Sequence, residues 1–221
     1  MIKPGNILAL CFFFLFSLTS LHSQVIYNAY ANVTGIAGSV FSVNNVNESN
    51  HTFVAGETVV VMQMQDDVIG TNTTNVIGFG DLGSIKSAGL WEVAVIASVT
   101  RSSGVLQSLN LGTLIHTYTT GANSSLQLIT LRELSTTAFT SSANITGLAW
   151  NGFVGGVVAL YVPTVFTLGH SISANGIGFR GGVKNTPNFA STSCDATFVN
   201  AIGNKWAGKG EGIYKALRDT R

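Results

Sequence analysis

An all-β fold is what this 221-residue sequence predicts, and three observations predict it. Charged residues are only 10% of the chain, whereas 25 glycines and many Thr, Ser and Asn residues supply turns. Short β-branched and aromatic runs recur between those turn residues. No stretch sustains the 3.6-residue apolar period of a helix. The expected architecture is an antiparallel β-domain over residues 24–150, then glycine-punctuated β-strands over 151–182 that form a β-solenoid-like segment or a second sheet. A basic tail rich in Gly, Asn and Ser follows over 183–221.

The first residues specify a destination. Lys3 precedes an unbroken apolar run from Ile7 to Phe16, after which Ser17 to Ser23 turn smaller and more polar. This is the pattern of a secretory signal peptide, residues 1–23, cleaved after Ser23 to leave Gln24 first. The apolar run is too short to span a bilayer comfortably, so no transmembrane anchor is expected after cleavage. Cys11 leaves with the signal and Cys194 remains alone, so no internal disulfide is expected.

Taken in order, Tyr30–Val33 and Val40–Val43 flank Gly35-Ile36-Ala37-Gly38-Ser39 as a hairpin. In Thr58–Gln65, Val60, Met62 and Met64 make an apolar face entering a core. The opposite face starts buried at Val59 and Val61 and ends wet at Gln63 and Gln65. Asp66 to Gly89 has no period and is expected to be a long surface loop. Its oxygen-bearing residues Asp66, Asp67, Asn72, Asn75 and Asp81 are the calcium candidates, although their spacing fits no standard loop. In the next strand Trp91, Val93, Val95, Ala97 and Val99 form the strongly apolar face, with core packing the default for Trp91, and Leu90, Glu92, Ala94, Ile96 and Ser98 lie opposite. Val105–Leu111 and Leu126–Leu134 continue the pattern, the latter with Leu126, Leu128, Thr130, Arg132 and Leu134 on one side.

The stretch from Gly155 to Gly182 packs three apolar runs between glycines: Val157–Val162, Val165–Leu168 and Ser171–Ala174. Each is about one side of a solenoid coil, with Pro163, Gly169 and Asn175-Gly176 at corners. Two arrangements stay open. Stacked coils would leave an unprotected outer edge that pairs with another chain. An ordinary antiparallel hairpin closed at Asn175-Gly176 would instead finish the preceding domain.

No catalytic constellation emerges. Gly176-Ile177-Gly178-Phe179-Arg180-Gly181 matches G-x-G-x-x-G, but the dinucleotide mechanism needs a helix directly after it, and Gly182 to Pro187 is a poor helix. His51, His116 and His170 are far apart and at no metal-ligand spacing. Glycoside hydrolysis needs two facing carboxylates, for which Glu92 and Glu133 are the candidates, while plain solvation is the ordinary state of an outward strand Glu. Trp91, Trp150 and Trp206 are the residues able to stack on sugars, with core packing as the alternative. No cofactor beyond calcium is expected. From Gln24 to Phe179 three basic residues face seven acidic ones, and from Arg180 onward seven basic face three acidic. These scattered charges suggest a solvated end, and no nucleic-acid partner.

One resemblance adds to this. His51-Thr52-Phe53-Val54-Ala55-Gly56-Glu57, then Val59 to Asp67, then Gly155 through Gly182, and Lys209-Gly210-Glu211-Gly212-Ile213-Tyr214 together resemble the N-terminal part of large glycine-rich, adhesin-like surface proteins. Those are secreted by type IX systems of the Bacteroidota. The resemblance implies that a glycine-rich repetitive region and a C-terminal sorting domain would follow. The sequence stops at Arg221 without either, so a truncated member is expected, periplasmic if the sorting domain is missing. The expected function is a non-enzymatic, exported structural or adhesive module, facing a glycan or matrix or associating with itself through an exposed β edge. The competing expectation is an N-terminal accessory domain of a polysaccharide-degrading β-helix enzyme, which carboxylates clustered on consecutive coils would mark.

Overall fold

A computed structural model describes residues 24–67, 86–181, 210–213 and 215. Among the described residues every regular element is a strand. Six of them close a barrel: β2 (Tyr30–Ala37), β3 (Val40–Asn47), β6 (Val105–Leu111), β5 (Trp91–Ser102), β4 (Thr58–Gln65) and β7 (Ser125–Thr130), which returns to β2. Each neighbouring pair runs antiparallel. The expected hairpin is present, but its turn is Gly38-Ser39: Ile36 and Ala37 still pair with Phe41 and Val40, and Gly38 takes the positive φ of 60°.

Side chains of modest volume fill the barrel. Val33, Phe41, Val59, Val61, Ala94, Ile96, Leu106, Leu109, Leu126 and Leu128 are buried inside, joined by Phe53 from the β3–β4 connection. That interior is already filled from β2, β3, β4, β6 and β7, and the orientation expected for β5 is corrected. Trp91, Val93 and Val95 point outward and are exposed, while Glu92, Ala94 and Ile96 point in. Gln63 and Gln65, expected to be wet, are dry at 0% and 1% exposure because they continue the inward row of Val59 and Val61 to the end of the barrel.

A second apolar layer covers part of the outside. Tyr30, Ile129 and Val60 stand in register across β2, β7 and β4 and pack against Val154, Leu148, Val157 and Ala159. Residues 155–159 lie over this face as an extended strap, held by side chains and by one backbone bond, from Gly156 N–H to the Leu148 carbonyl at 2.8 Å. The Gln127 amide donates to the Gly155 carbonyl at 3.0 Å and accepts from its N–H at 2.9 Å. The Tyr30 hydroxyl donates to the Val157 carbonyl at 2.7 Å and accepts from Leu148 N–H at 3.2 Å. Asn28 Nδ2 donates to the Ala159 carbonyl at 2.6 Å, and Ala159 N–H returns to Asn28 Oδ1 at 3.2 Å. The alternation 155, 157, 159 is the two-residue period of extended chain. Within Val157–Val162, expected as a strand, Val157 and Ala159 therefore bond to side chains, and Tyr161 meets the preceding chain through a single bridge to Glu133.

Beyond the strap the chain pairs in parallel with itself. β8 (Ala138–Thr140) pairs with β10 (Val165–Thr167), and β1 (Gln24–Val25) pairs with β9 (Asn144–Ile145). Single bridges join Glu133 to Tyr161 and Ile145 to Ile172. The partners Ala138/Val165 and Ile145/Ile172 are 27 residues apart, and Glu133/Tyr161 are 28 apart. Residues 161–172 thus lie parallel to the preceding chain and do not form an antiparallel hairpin across Asn175-Gly176. Gly169 sits where these two passes touch, and a Cβ there would be 2.6 Å from the Ser141 carbonyl oxygen. Gly169→Ala is expected to cost about 1–3 kcal/mol through that overpacking. Gly178→Ala, with nothing near its Cβ, should be close to neutral. Urea unfolding of both variants checks it, and equal midpoints would refute the contact.

Candidate functional site

The chain concentrates its polar burial at one pole of the barrel. Here β4 ends, β5 and β7 begin and the Gly38-Ser39 turn lies, with residues 112–124 running across the opening. Glu92 fixes that crossing segment. Its carboxylate accepts from Ile115 N–H at 2.7 Å and His116 N–H at 2.9 Å. Burial alone would raise its pKa, but these two bonds, with Tyr118 and His116 beside it, outweigh burial and hold it below the usual carboxylate value. The buried Tyr118 hydroxyl has no partner at good hydrogen-bond geometry, and burial followed by the nearby Glu92 charge pushes its pKa well up. Gln63 Oε1 adds a third anchor by accepting from Thr119 N–H at 2.9 Å.

Beside Glu92, a network of neutral and charged groups ties in the end of the described chain. Gln65 Nε2 donates to the Gly212 carbonyl at 2.7 Å, and Ser125 donates to Gln65 Oε1 at 3.1 Å. Lys215 Nζ reaches the Ser124 carbonyl at 2.8 Å and Ser125 Oγ at 2.7 Å, and lies 5.5 Å above the Phe153 ring. Part of the basic tail is therefore built into the barrel end. Glu211 is bonded to Arg180 at 2.7 Å, which raises the Arg180 pKa.

A cleft of about 400 Å³ opens at this pole between the Gly38-Ser39 turn and the crossing segment. Ile36, Phe41 and Leu114 give it apolar walls, and His116, Thr117 and Tyr118 give it polar ones. Outside it, Ile115 is 88% exposed. The mix suits a small amphipathic group held by packing and a few hydrogen bonds.

The expected site residues scatter. Glu92 is buried and engaged with backbone amides, whereas Glu133 is exposed on the pass that bridges to Tyr161; no described hydrogen bond joins them. The solvated state expected of Glu92 is thus wrong, because its carboxylate replaces water as the acceptor for two loop amides. Asp66 is fully buried, accepting from Asp67 N–H at 2.8 Å and Ser87 N–H at 3.1 Å, and Asp67 lies 3.6 Å from Lys86. The other calcium candidates Asn72, Asn75 and Asp81 lie outside the described residues, as do Cys194, Trp206 and residues 1–23. Among the described residues no group of three His, Cys, Asp or Glu is positioned to hold a metal ion. His51 pairs with Glu57 at 2.8 Å, and His170 N–H is held by Ser141 Oγ at 3.0 Å, each at a different place in the fold. Of the tryptophans, Trp150 is buried against Phe179, but Trp91 is 59% exposed on the outer face of the barrel, against its expected core packing.

Comparison with protein-family models, with curated proteins and with solved structures found no match.

Proposed function

We propose that this chain is a non-enzymatic, exported module of a cell surface or extracellular matrix, adhesive through its barrel face and facing a glycan or matrix surface. The exposed outer face of β5 carries this reading. Trp91, Val93 and Val95 alternate along one strand, giving an indole and two aliphatic side chains open to solvent. Val93 and Trp91 continue the rows of Val60 and Met62 on β4. The same outer surface is covered by the strap over β2 and β7 and stays open over β5. An exposed indole flanked by aliphatic side chains can stack on a sugar ring or seat an apolar matrix side chain.

Binding of the purified full chain to insoluble cellulose, chitin and collagen tests it. Trp91→Ser with Val93→Ser should lower retention about ten-fold, the loss of roughly 1.4 kcal/mol, while leaving the unfolding midpoint within a few tenths of a kcal/mol because both residues are exposed. Retention unchanged in the double variant, or absent for the parent chain on every support, would sink the reading. The parallel passes around residues 133–172 favour one second reading, the accessory domain of a β-helix enzyme. Release of reducing sugar that disappears in Glu133→Gln would decide for it.

A further inference from the structure

We infer that the cleft at the polar pole binds a neutral sugar, seating one pyranose ring between the Gly38-Ser39 turn and the crossing segment. This deepens the glycan-facing reading but stands on a different surface from Trp91. The cleft of about 400 Å³ falls within the range of roughly 300–1,000 Å³ typical of small-molecule sites. Its depth is closed, because side chains from all six strands fill the barrel beneath it. A long acyl chain has no channel to enter there, whereas a single ring has room.

Burial sorts the lining into two chemistries. Phe41 and Tyr118 are buried and Leu114 is half-buried, so the bottom is apolar and partly aromatic. Ser39, Thr113, His116 and Thr117 are exposed around it, and among the described residues their side chains have no hydrogen-bond partner. A pyranose is divided in the same way, with C–H faces that pack on apolar and aromatic surface and an edge of hydroxyls that donate and accept. No Lys, Arg, Asp or Glu lines the cleft. Nearby Glu92 has both carboxylate oxygens committed to backbone amides. A charged ligand would lose hydration with no opposite charge to replace it, which selects a neutral one.

The walls are fixed before any ligand arrives. Leu111 N–H donates to the Ser39 carbonyl at 2.9 Å, tying the start of the crossing segment to the turn. Further along, Glu92 holds Ile115 and His116, and Gln63 holds Thr119. Walls held this way leave little to be ordered on binding. Glu92 is thus a positioning residue for the cleft, acting through the segment it pins.

Titration of the full chain with D-glucose, D-galactose, D-mannose and N-acetyl-D-glucosamine, followed by NMR, tests the inference. At least one should saturate in the millimolar range and shift the amides of Gly112 to Tyr118 and the His116 ring. Gly112 lines the cleft and a Cβ there would meet nothing within 4 Å, so Gly112→Leu should fill the space without a clash and weaken binding about ten-fold. His116→Ala should weaken it about five-fold, the loss of one hydrogen bond, while keeping the backbone N–H that Glu92 holds. Both positions are exposed, so unfolding midpoints should stay close to the parent's. No saturable shift at the cleft with any of the four sugars, parent affinity in either variant, or tighter binding of glucosamine or glucuronate than of every neutral sugar would overturn the inference. Shifts confined to the Trp91 indole would overturn it as well, while leaving the proposed function standing.

Discussion

Gln127→Leu is expected to destabilise the protein by about 2–4 kcal/mol, read as a lower urea midpoint at unchanged slope. Gln127 is fully buried on the outer face of β7, and its amide meets both peptide groups of Gly155. Leucine fills a similar volume, so packing loss is small. What remains is one N–H and one carbonyl without partners in a place that water does not reach, at roughly 1–3 kcal/mol each. The strap also carries Val157 and Ala159 of the outer apolar cluster and follows directly on Val154, so its loosening would expose Tyr30, Val60 and Ile129 as well. Tyr30→Phe should act in the same direction by removing the bonds to Val157 and Leu148. Because both residues hold one strap, their effects should be less than additive. A Gln127→Leu change under about 0.5 kcal/mol would mean that the strap is not held as described.

The strands were legible because their two-residue alternation is a local property, and β2 to β7 fall on the runs that the sequence marks. Which face points inward was not. Trp91-Glu92-Val93-Ala94-Val95-Ile96 ranks by hydropathy with the tryptophan side inside, but in the closed six-strand barrel the Glu92, Ala94 and Ile96 side faces in, with the Glu92 carboxylate taken up by the amides of the crossing segment. Long-range pairing decides closure, and no window of sequence reports it. A weaker signal did exist at the polar pole. Gln63 and Gln65 extend the buried alternation of Val59 and Val61, and polar residues that continue a core row at a strand's end are where a crossing loop finds its hydrogen bonds. The strap was misread for a related reason: its alternation is real, but its partners are the side chains of Asn28, Tyr30 and Gln127, up to 131 residues away. A signal for the parallel passes was present too, in Gly152-Phe153-Val154-Gly155-Gly156 and Gly178-Phe179-Arg180-Gly181-Gly182, whose near-identity is the mark of stacked passes.

Glu92→Ala should be about as costly as Gln127→Leu, and it should remove part of the protein's dependence on pH. The substitution strips the acceptor from Ile115 N–H and His116 N–H at once, which costs roughly 2–4 kcal/mol if no water replaces it. The sign of the pH effect follows from the direction of the shift. The folded carboxyl lies below its usual 4.5, so the folded state favours the charged form more than the unfolded chain does. Its contribution is therefore complete above pH 4.5 and is lost as pH falls through 4.5 and then through the lower folded value. Glu48 is shifted the same way, with burial opposing and Arg101, at 2.6 Å and 2.8 Å, together with Phe53 N–H prevailing. Acid unfolding of the parent chain thus sums both groups. Glu92→Gln separates them, because the amide keeps one acceptor and cannot titrate. Its stability should fall less steeply than the parent's from roughly pH 5 to pH 3, while the Glu48 share persists. The crossing segment gives a second readout: a loosened 112–119 stretch should lose hydrogen-exchange protection at Ile115 and His116 before the strands do. Parallel pH profiles for the parent and Glu92→Gln would show that the carboxylate does not hold this pole, and the cleft beside His116 and Tyr118 would then need another explanation for its shape.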